Sequence, residues 1–579
     1  MGLRLAGIPA SPGIVEGPVH LLRWEVPEVP HRIVGDDQVE KELARLHAAF
    51  ERARDRLQLI RARAERQAGP EEAAIFDVQI SILQDVSLVE HVDALVRQNL
   101  GAEKAFDLAM LEWRTQFARH PHAMLRERVG DLVDVHIRVL SILLGLGDHD
   151  PIDVPKGAGA ILVTHDLTPS LTVQLDREAI AAIATDAGTT TSHIAILARS
   201  LGLPAVVGLR DAASQLRGGE RAVLDGGAGT LTVAPNEREV AEFRTRARLE
   251  EQELAELRQL AELEAVTLDG VRMVLRANVD LPEEAELAAT SGAEGVGLMR
   301  TEFLVVGRAT MPDEEEQYRA YARVVEAFGG RPVVIRTYDV GGDKLPVGGF
   351  PAEPNPFLGW RAIRMCLDQP ELFRAQLRAL LRAALHGDVR VMLPLIVSLD
   401  EVREARALLA QAADELRARG VPFREALPLG MMVETPAAAL AADTFRGAVD
   451  FFSIGTNDLV QYTLAVDRGN VQLAPRFTPL HPAVLRLIAH VVRTAEEQGI
   501  DVAVCGEMAS QPVMAFALLG LGLRQLSVGP RSVLAVKRIV RGIRATDAER
   551  AARAALAAST AGEAETILNR GLDAALGRS

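Results

Sequence analysis

The sequence predicts a multidomain α/β protein: a swivelling β/α domain interrupted by a helical bundle, then a long connecting helix, then a C-terminal (β/α)8 TIM barrel. Three observations predict it. At 579 residues the chain is too long for one hydrophobic core, which argues for three or four domains. A charged, amphipathic helical block separates two sets of short apolar runs in the N-terminal part. In the remaining 310 or so residues short apolar runs alternate with helical segments, which favours a closed barrel over an open doubly wound sheet.

The elements follow in order. Residues 1–22 read as short strands around Pro9, Pro12 and Gly13. Residues 37–67 form an amphipathic helix with Val39, Leu43, Leu46, Phe50, Leu57 and Leu59 on its apolar side. Gly69-Pro70 stops it, and Glu71-Glu72 open the next helix, where negative charge suits the dipole. Further helices over 102–117 and 123–144 complete a bundle whose side is a plausible docking surface for another protein. Residues 158–163, 180–184, 205–207 and 223–225 read as strands of a compact domain that the first 22 residues rejoin. Asn236 caps a long charged helix running to about residue 264, a connector. Strand candidates then fall at 271–275, 295–299, 333–336, 391–393, 429–433, 451–454 and 502–505, with polar residues at their C-terminal ends, where barrel chemistry lies.

Composition narrows the function classes. A net charge of -15 argues against a nucleic-acid backbone as main partner, while leaving room for a basic site that takes small anions. Two cysteines exclude a disulfide-built fold and a multi-thiolate metal site, and Cys366 reads as an ordinary buried small residue. No apolar stretch reaches the roughly 18 residues of a membrane span, and the N-terminus lacks a signal-peptide core, so the expectation is a cytoplasmic protein.

Two constellations carry the chemistry. In residues 184–196 a strand leads through Gly188-Thr189-Thr190-Thr191-Ser192-His193 into a helix. His193 falls in the first turn, where free amides and the dipole favour an incoming phosphoryl group. A neutral imidazole is a competent nucleophile toward phosphorus. His165, in Thr164-His165-Asp166, has a similar local setting and is the competing position. Far downstream, Arg300, Arg336, Arg361 and Arg468 accompany Glu434, Asp458 and Cys505. Arginine's planar fork suits phosphate and carboxylate. Taken singly, each arginine could be a structural ion pair, each carboxylate a helix cap, and Cys505 a small buried barrel residue.

Residues 185–208 resemble the phosphohistidine motif of the Enzyme I family, the phosphoenolpyruvate–protein phosphotransferases of the sugar phosphotransferase system, and the likeness extends over essentially the whole chain. The resemblance implies a phosphohistidine domain of residues 1–22 and 148–235, an inserted helical domain of 35–146 that binds the carrier protein HPr, and a linker of 236–264. It implies a barrel of 265–579 that binds phosphoenolpyruvate and forms a homodimer. His193 matches the phosphorylated histidine and Cys505 the acid that protonates the enolate. Arg300, Arg336, Arg361, Asn457 and Arg468 match substrate-binding positions, and Glu434 and Asp458 match ligands of Mg²⁺. The implied reaction passes the phosphoryl group to the enzyme's own histidine and then to HPr, releasing pyruvate, as the first step of sugar uptake.

Three departures stand out. Thr189 and Thr190 replace a glycine and a basic residue common in the family, Thr435 stands where isoleucine is common, and the loop Gly341-Gly342-Asp343-Lys344 is one residue short. Phosphoenolpyruvate synthases and pyruvate phosphate dikinases share both constellations but need a large nucleotide-binding domain, for which the segment before residue 150 is too short and too helical. A regulatory paralogue of the same family and a non-catalytic phosphoenolpyruvate sensor are the alternatives.

Overall fold

The computed structural model describes residues 2–67, 70–118, 128–146, 154, 157–167, 171, 175, 179–188, 194–195, 198, 202–305, 311–341, 353, 355–468, 470 and 472–577. The chain divides into two compact units, Met1–Gln252 and Glu253–Ser579.

The first unit contains a mixed sheet of eight strands. These are β1 (Leu3–Ala6), β2 (Ile8–Ser11), β3 (Ile14–Leu22), β4 (Ala160–Thr164), β5 (Ile180–Thr185), β6 (Ala205–Val207), β7 (Arg221–Asp225) and β8 (Thr230–Val233), in the order β1-β8-β7-β3-β4-β5-β6-β2. β3, β4, β5 and β6 run parallel, and the other pairings are antiparallel. The helices Val39–Gln67, Pro70–Leu83, Val86–Val96, Ala102–Ala118 and Val129–Leu144 all lie in sequence between β3 and β4, which are hydrogen-bonded neighbours. They bury their apolar faces on one another around Leu46, Phe50, Phe106 and Val135, so the bundle has its own core. Pro70 opens its helix, where a missing amide costs nothing.

The charged helix Glu237–Arg258 starts with a reciprocal cap. The Glu239 amide donates to Asn236 Oδ1 and the Asn236 amide donates to Glu239 Oε2, both at 2.9 Å. It ends at Arg258, short of the expected residue 264, in turns through Leu263.

In the second unit β9 (Ala265–Val266) pairs antiparallel with β10 (Arg272–Val279). Eight parallel strands then close on themselves: β10, β11 (Val296–Met299), β12 (Val333–Arg336), β13 (Val389–Leu393), β14 (Leu429–Val433), β15 (Phe451–Ile454), β16 (Asp501–Val504) and β17 (Gln525–Val528). The closing seam pairs Val274 to Ala277 with Gln525 to Val528. β17 is the strand that the sequence reading lacks: Gln525-Leu526-Ser527-Val528 is short and half polar, and its pattern alone does not mark it. The fold class is otherwise the one expected, a swivelling β/α domain with a helical insertion and a (β/α)8 barrel.

Side chains two apart on a strand share a face, so the barrel interior is stacked in layers. Leu298, Val334, Met392, Met432 and Phe451 form the apolar layer, with Cys505 packed among them. The next inward position along the chain is Arg336 after Val334, and Glu434 after Met432. The alternation therefore carries an apolar plug up into a charged mouth.

Leu526 is buried at the seam between Leu275 and Val504. Leu526→Ala should destabilise the barrel by about 2–5 kcal/mol, read from chemical denaturation with an unchanged slope. A loss below about 0.5 kcal/mol, the range of surface substitutions, would mean that this strand does not seal the core.

Candidate functional site

The mouth is built from the C-terminal ends of six barrel strands. Arg300 follows β11, and its Nη1 donates to Asp280 Oδ1 and Oδ2 (3.1 and 3.3 Å) just beyond β10. Arg336 ends β12 and is buried. Its Nη2 is paired with Glu302 and with Asp339 Oδ2 (3.1 Å), and its Nη1 reaches Met432 Sδ at 3.5 Å. Arg361 is 1% exposed. It donates to Asp339 Oδ1 from Nε (3.1 Å) and Nη2 (2.6 Å), and to Asp458 Oδ2 at 3.3 Å. Arg468 approaches Asp458 Oδ1 at 3.6 Å and lies over the Phe357 ring, as Arg361 does. Asp458 and the half-buried Asn457 lie in the first turn of the helix Thr456–Leu464, after β15.

These contacts form one buried chain, Arg336–Asp339–Arg361–Asp458, with Arg468 at its rim and Glu302 beside Arg336. Burial works against charge on Arg336 and Arg361, but the facing carboxylates outweigh it and hold both guanidiniums well up. Burial likewise opposes charge on Arg300, and Asp280 and Glu302 overcome it. Arg336 Nε and Arg361 Nη1 are buried and donate no hydrogen bond. Each is a donor whose desolvation a bound oxyanion would repay.

Glu434 follows β14, and its Oε1 accepts from the Leu395 amide at 2.6 Å. Burial, then Asp458 and Asp339, push its carboxyl up to about 8, against the pull of Arg336 and Arg361. Gly455 makes the placement possible, since a Cβ there would stand 2.7 Å from Glu434 Oε2 and 2.9 Å from Glu434 Cβ. Around the mouth four guanidiniums face five carboxylates, Asp280, Glu302, Asp339, Glu434 and Asp458. Asp458 Oδ1 is buried without a hydrogen bond. Among the described residues no group of three His, Cys, Asp or Glu side chains encloses a metal by itself. Asp458, though paired with Arg361 and Arg468, keeps Oδ1 free of hydrogen bonds, and Glu434 accepts one amide at Oε1; together they fit a hard divalent cation that takes its other oxygens from water and substrate.

Cys505 follows β16 at 1% exposure, its Sγ 3.8 Å from the Ile454 carbonyl oxygen. Burial pushes the thiol up to about 11, so it stays protonated at neutral pH. Asn278 Nδ2 donates to the Cys505 carbonyl at 3.3 Å, and Ser527 Oγ donates to Asn278 Oδ1 at 2.6 Å. A second buried network backs the arginines. Thr301 Oγ1 donates to the Arg336 carbonyl, and Gln376 Nε2 donates to Thr301 Oγ1 and to the Tyr321 hydroxyl.

The barrel thus brings together Arg300, Arg336, Arg361, Arg468, Glu434, Asp458 and Cys505, with Asn457 alongside. His193, Thr189 and Thr190 lie outside the described residues, as do Gly342, Asp343 and Lys344. Ahead of residue 189 β5 leads to Asp186 and to Gly188 at φ 109°. Asp186 accepts from the Ala212 and Ala213 amides (2.6 and 3.1 Å), and exposed His165 lies 3.8 Å from it. Sequence reasoning missed Asp339, Glu302, Asp280 and Asn278. The signal for the first two was a carboxylate two or three residues after a strand-end arginine.

Residues 254–545 match the family described as PEP-utilising enzyme, PEP-binding domain; residues 6–128 match PEP-utilising enzyme, N-terminal; and residues 156–229 match PEP-utilising enzyme, mobile domain. The chain is 41% identical over 569 residues to the phosphoenolpyruvate-protein phosphotransferase of Geobacillus stearothermophilus, covering 97% of each. It is 38% identical over 549 residues to that of Staphylococcus carnosus (strain TM300), covering 94% of this chain and 95% of the relative. A solution structure of Enzyme I aligns with 43% of this chain and 99% of its own, at 30% identity and a TM-score of 0.36. Matched at this identity over nearly its whole length, the chain belongs to the phosphoenolpyruvate–protein phosphotransferase family of PEP-utilising enzymes.

Proposed function

We propose that this protein takes the phosphoryl group of phosphoenolpyruvate onto His193, releases pyruvate, and passes the group to a histidine of the carrier protein HPr, as the first step of phosphotransferase-dependent sugar uptake in the cytoplasm. The observation that carries the reading is the barrel mouth. In a chain of this family, four arginines, the buried Glu434 and an Asp458 whose Oδ1 accepts no hydrogen bond surround a mouth whose apolar layer holds a protonated thiol. Among the described residues no helix is long and apolar enough to cross a membrane. The inserted bundle is the surface for HPr, and the barrel is the homodimerisation domain.

In this mechanism Arg361, Arg336, Arg300 and Arg468 clamp the donor's phosphate and carboxylate, and Asn457 steadies it. The open Nη1 of Arg361 and Nε of Arg336 are the donors kept for it. Glu434 and Asp458 hold Mg²⁺, which when bound neutralises charge on the transferring group. His193 attacks phosphorus, and the arginines stabilise the charge that develops on the phosphoryl oxygens. Cys505 gives its proton to the methylene carbon of the departing enolate, and pyruvate leaves. The apolar layer around Cys505 excludes water from that step.

His193→Ala should abolish acid-labile, alkali-stable labelling from labelled phosphoenolpyruvate while leaving donor binding to the barrel intact. Undiminished labelling would move the nucleophile to His165.

Cys505→Ala should slow pyruvate formation by about 10²–10⁴-fold with phosphate binding retained. A donor must be protonated, so the wild type should lose no activity through this thiol until the pH nears about 11. Near-normal turnover of the variant would assign the proton to another group.

Chelation of divalent cations should stop labelling, and Glu434→Gln should raise the Mg²⁺ needed for half-maximal rate by about 10-fold or more. Full activity in excess chelator would remove the cation from the mechanism.

A further inference from the structure

The helix Thr456–Leu464 brings more to the mouth than Asp458. Asp458, Gln461 and Tyr462 stand three and four residues apart, on one face of it. Asp458 takes the side chains of Arg361 and Arg468. Gln461 Oε1 accepts from the Arg468 amide at 3.0 Å. The Tyr462 hydroxyl donates to the Phe357 carbonyl at 2.5 Å, across 105 positions of sequence.

Phe357 lies in the short turn Pro356–Leu358, just ahead of Arg361. The turn is pinned carbonyl by carbonyl. Tyr462 holds that of Phe357, and Arg364 Nη1 donates to those of Leu358 and Gly359 (2.9 and 3.0 Å). The half-buried Phe357 ring belongs to none of the apolar cores among the described residues, whereas the nearby Trp360 packs on the barrel core. What the ring does meet is charge. The guanidinium carbon of Arg361 is 5.9 Å from its centroid and that of Arg468 is 5.6 Å, both within cation–π reach. These two arginines arrive from opposite sides, one after β12 and one after β15, and share one carboxylate and one ring. The carboxylate supplies opposite charge. The ring supplies a face on which planar forks stack.

We propose, on the reading of the mouth as the phosphoenolpyruvate site, that Phe357 is a positioning residue whose ring, held in place by Tyr462, sets the forks of Arg361 and Arg468 side by side to receive one donor. Neither Phe357 nor Tyr462 takes part in the chemistry; both act through the two arginines.

The measurement is the second-order rate constant for pyruvate formation from phosphoenolpyruvate in a single turnover of the full chain, which needs no acceptor protein. Phe357→Leu keeps apolar bulk and removes the ring face, and should lower that constant by about 10-fold or more. Phe357→Tyr keeps the ring and should stay within about 2-fold of the wild type. Tyr462→Phe loses only the hydroxyl and should cost about 3–10-fold. Because Tyr462 acts through Phe357, the variant carrying both Phe357→Leu and Tyr462→Phe should be no slower than Phe357→Leu alone. Losses that multiply in the double variant, or a Phe357→Tyr variant as slow as Phe357→Leu, would reduce the ring to packing and overturn the proposal. Arg361→Ala tells the two readings apart. If it is slow while Phe357→Leu matches the wild type, the role of Phe357 alone falls. If both match the wild type, the phosphoenolpyruvate site falls with it.

Discussion

Everything in the catalytic half depends on keeping charge buried. Arg336, Asp339, Arg361 and Asp458 are each at most 4% exposed, and an isolated charge at such depth costs several kcal/mol. The chain meets that cost by alternation of sign: each guanidinium lies against a carboxylate, and Asp339 serves two arginines at once. Removing one partner from such a chain typically costs about 3–5 kcal/mol, because the remaining charge stays where it is. The ion pairs therefore fix the arginine forks in place, which is the preorganisation that the proposed phosphoryl transfer would draw on. The pKa of Glu434 is raised first by its burial and then by the neighbouring Asp458 and Asp339.

The lumen below the mouth follows from the same strands. Period-two alternation sets Val334 beneath Arg336 and Met432 beneath Glu434, so a polar site rests on an apolar floor. Cys505 belongs to that floor, and burial there raises the thiol's pKa. Burial there keeps the thiol protonated at neutral pH, the state that the proposed proton delivery needs. The hydrogen bonds Ser527–Asn278–Cys505 carry the same logic across the closing seam, since β17 and β10 between them hold the backbone that presents the thiol.

The first unit solves a different problem. Its sheet joins strands from the first 22 residues to strands after residue 160, and β3 and β4 pair although a whole bundle separates them in sequence. Because the bundle has its own core and the sheet has apolar layers on both faces, each can keep its packing independently of the other.

The sequence by itself determined the periodic and punctuated features: the amphipathic helices, the Asn236 cap, the strand–helix alternation, and the residue types needed for phosphate, carboxylate and proton transfer. These are local, because periodicity and capping act within a few residues. Resemblance assigned roles to Arg361 and Arg468, which the residues taken singly leave as structural ion pairs. Tertiary structure alone decided β17, whose four residues become a strand only because β10 and β16 leave a gap between them. It also decided the role of Asp339. Its place three residues after Arg336 marks a nearby carboxylate, but its sharing with a second arginine exists only once the barrel brings Arg361 back against it. Pairing partners and depth of burial are non-local quantities, and the chain acquires them only on folding.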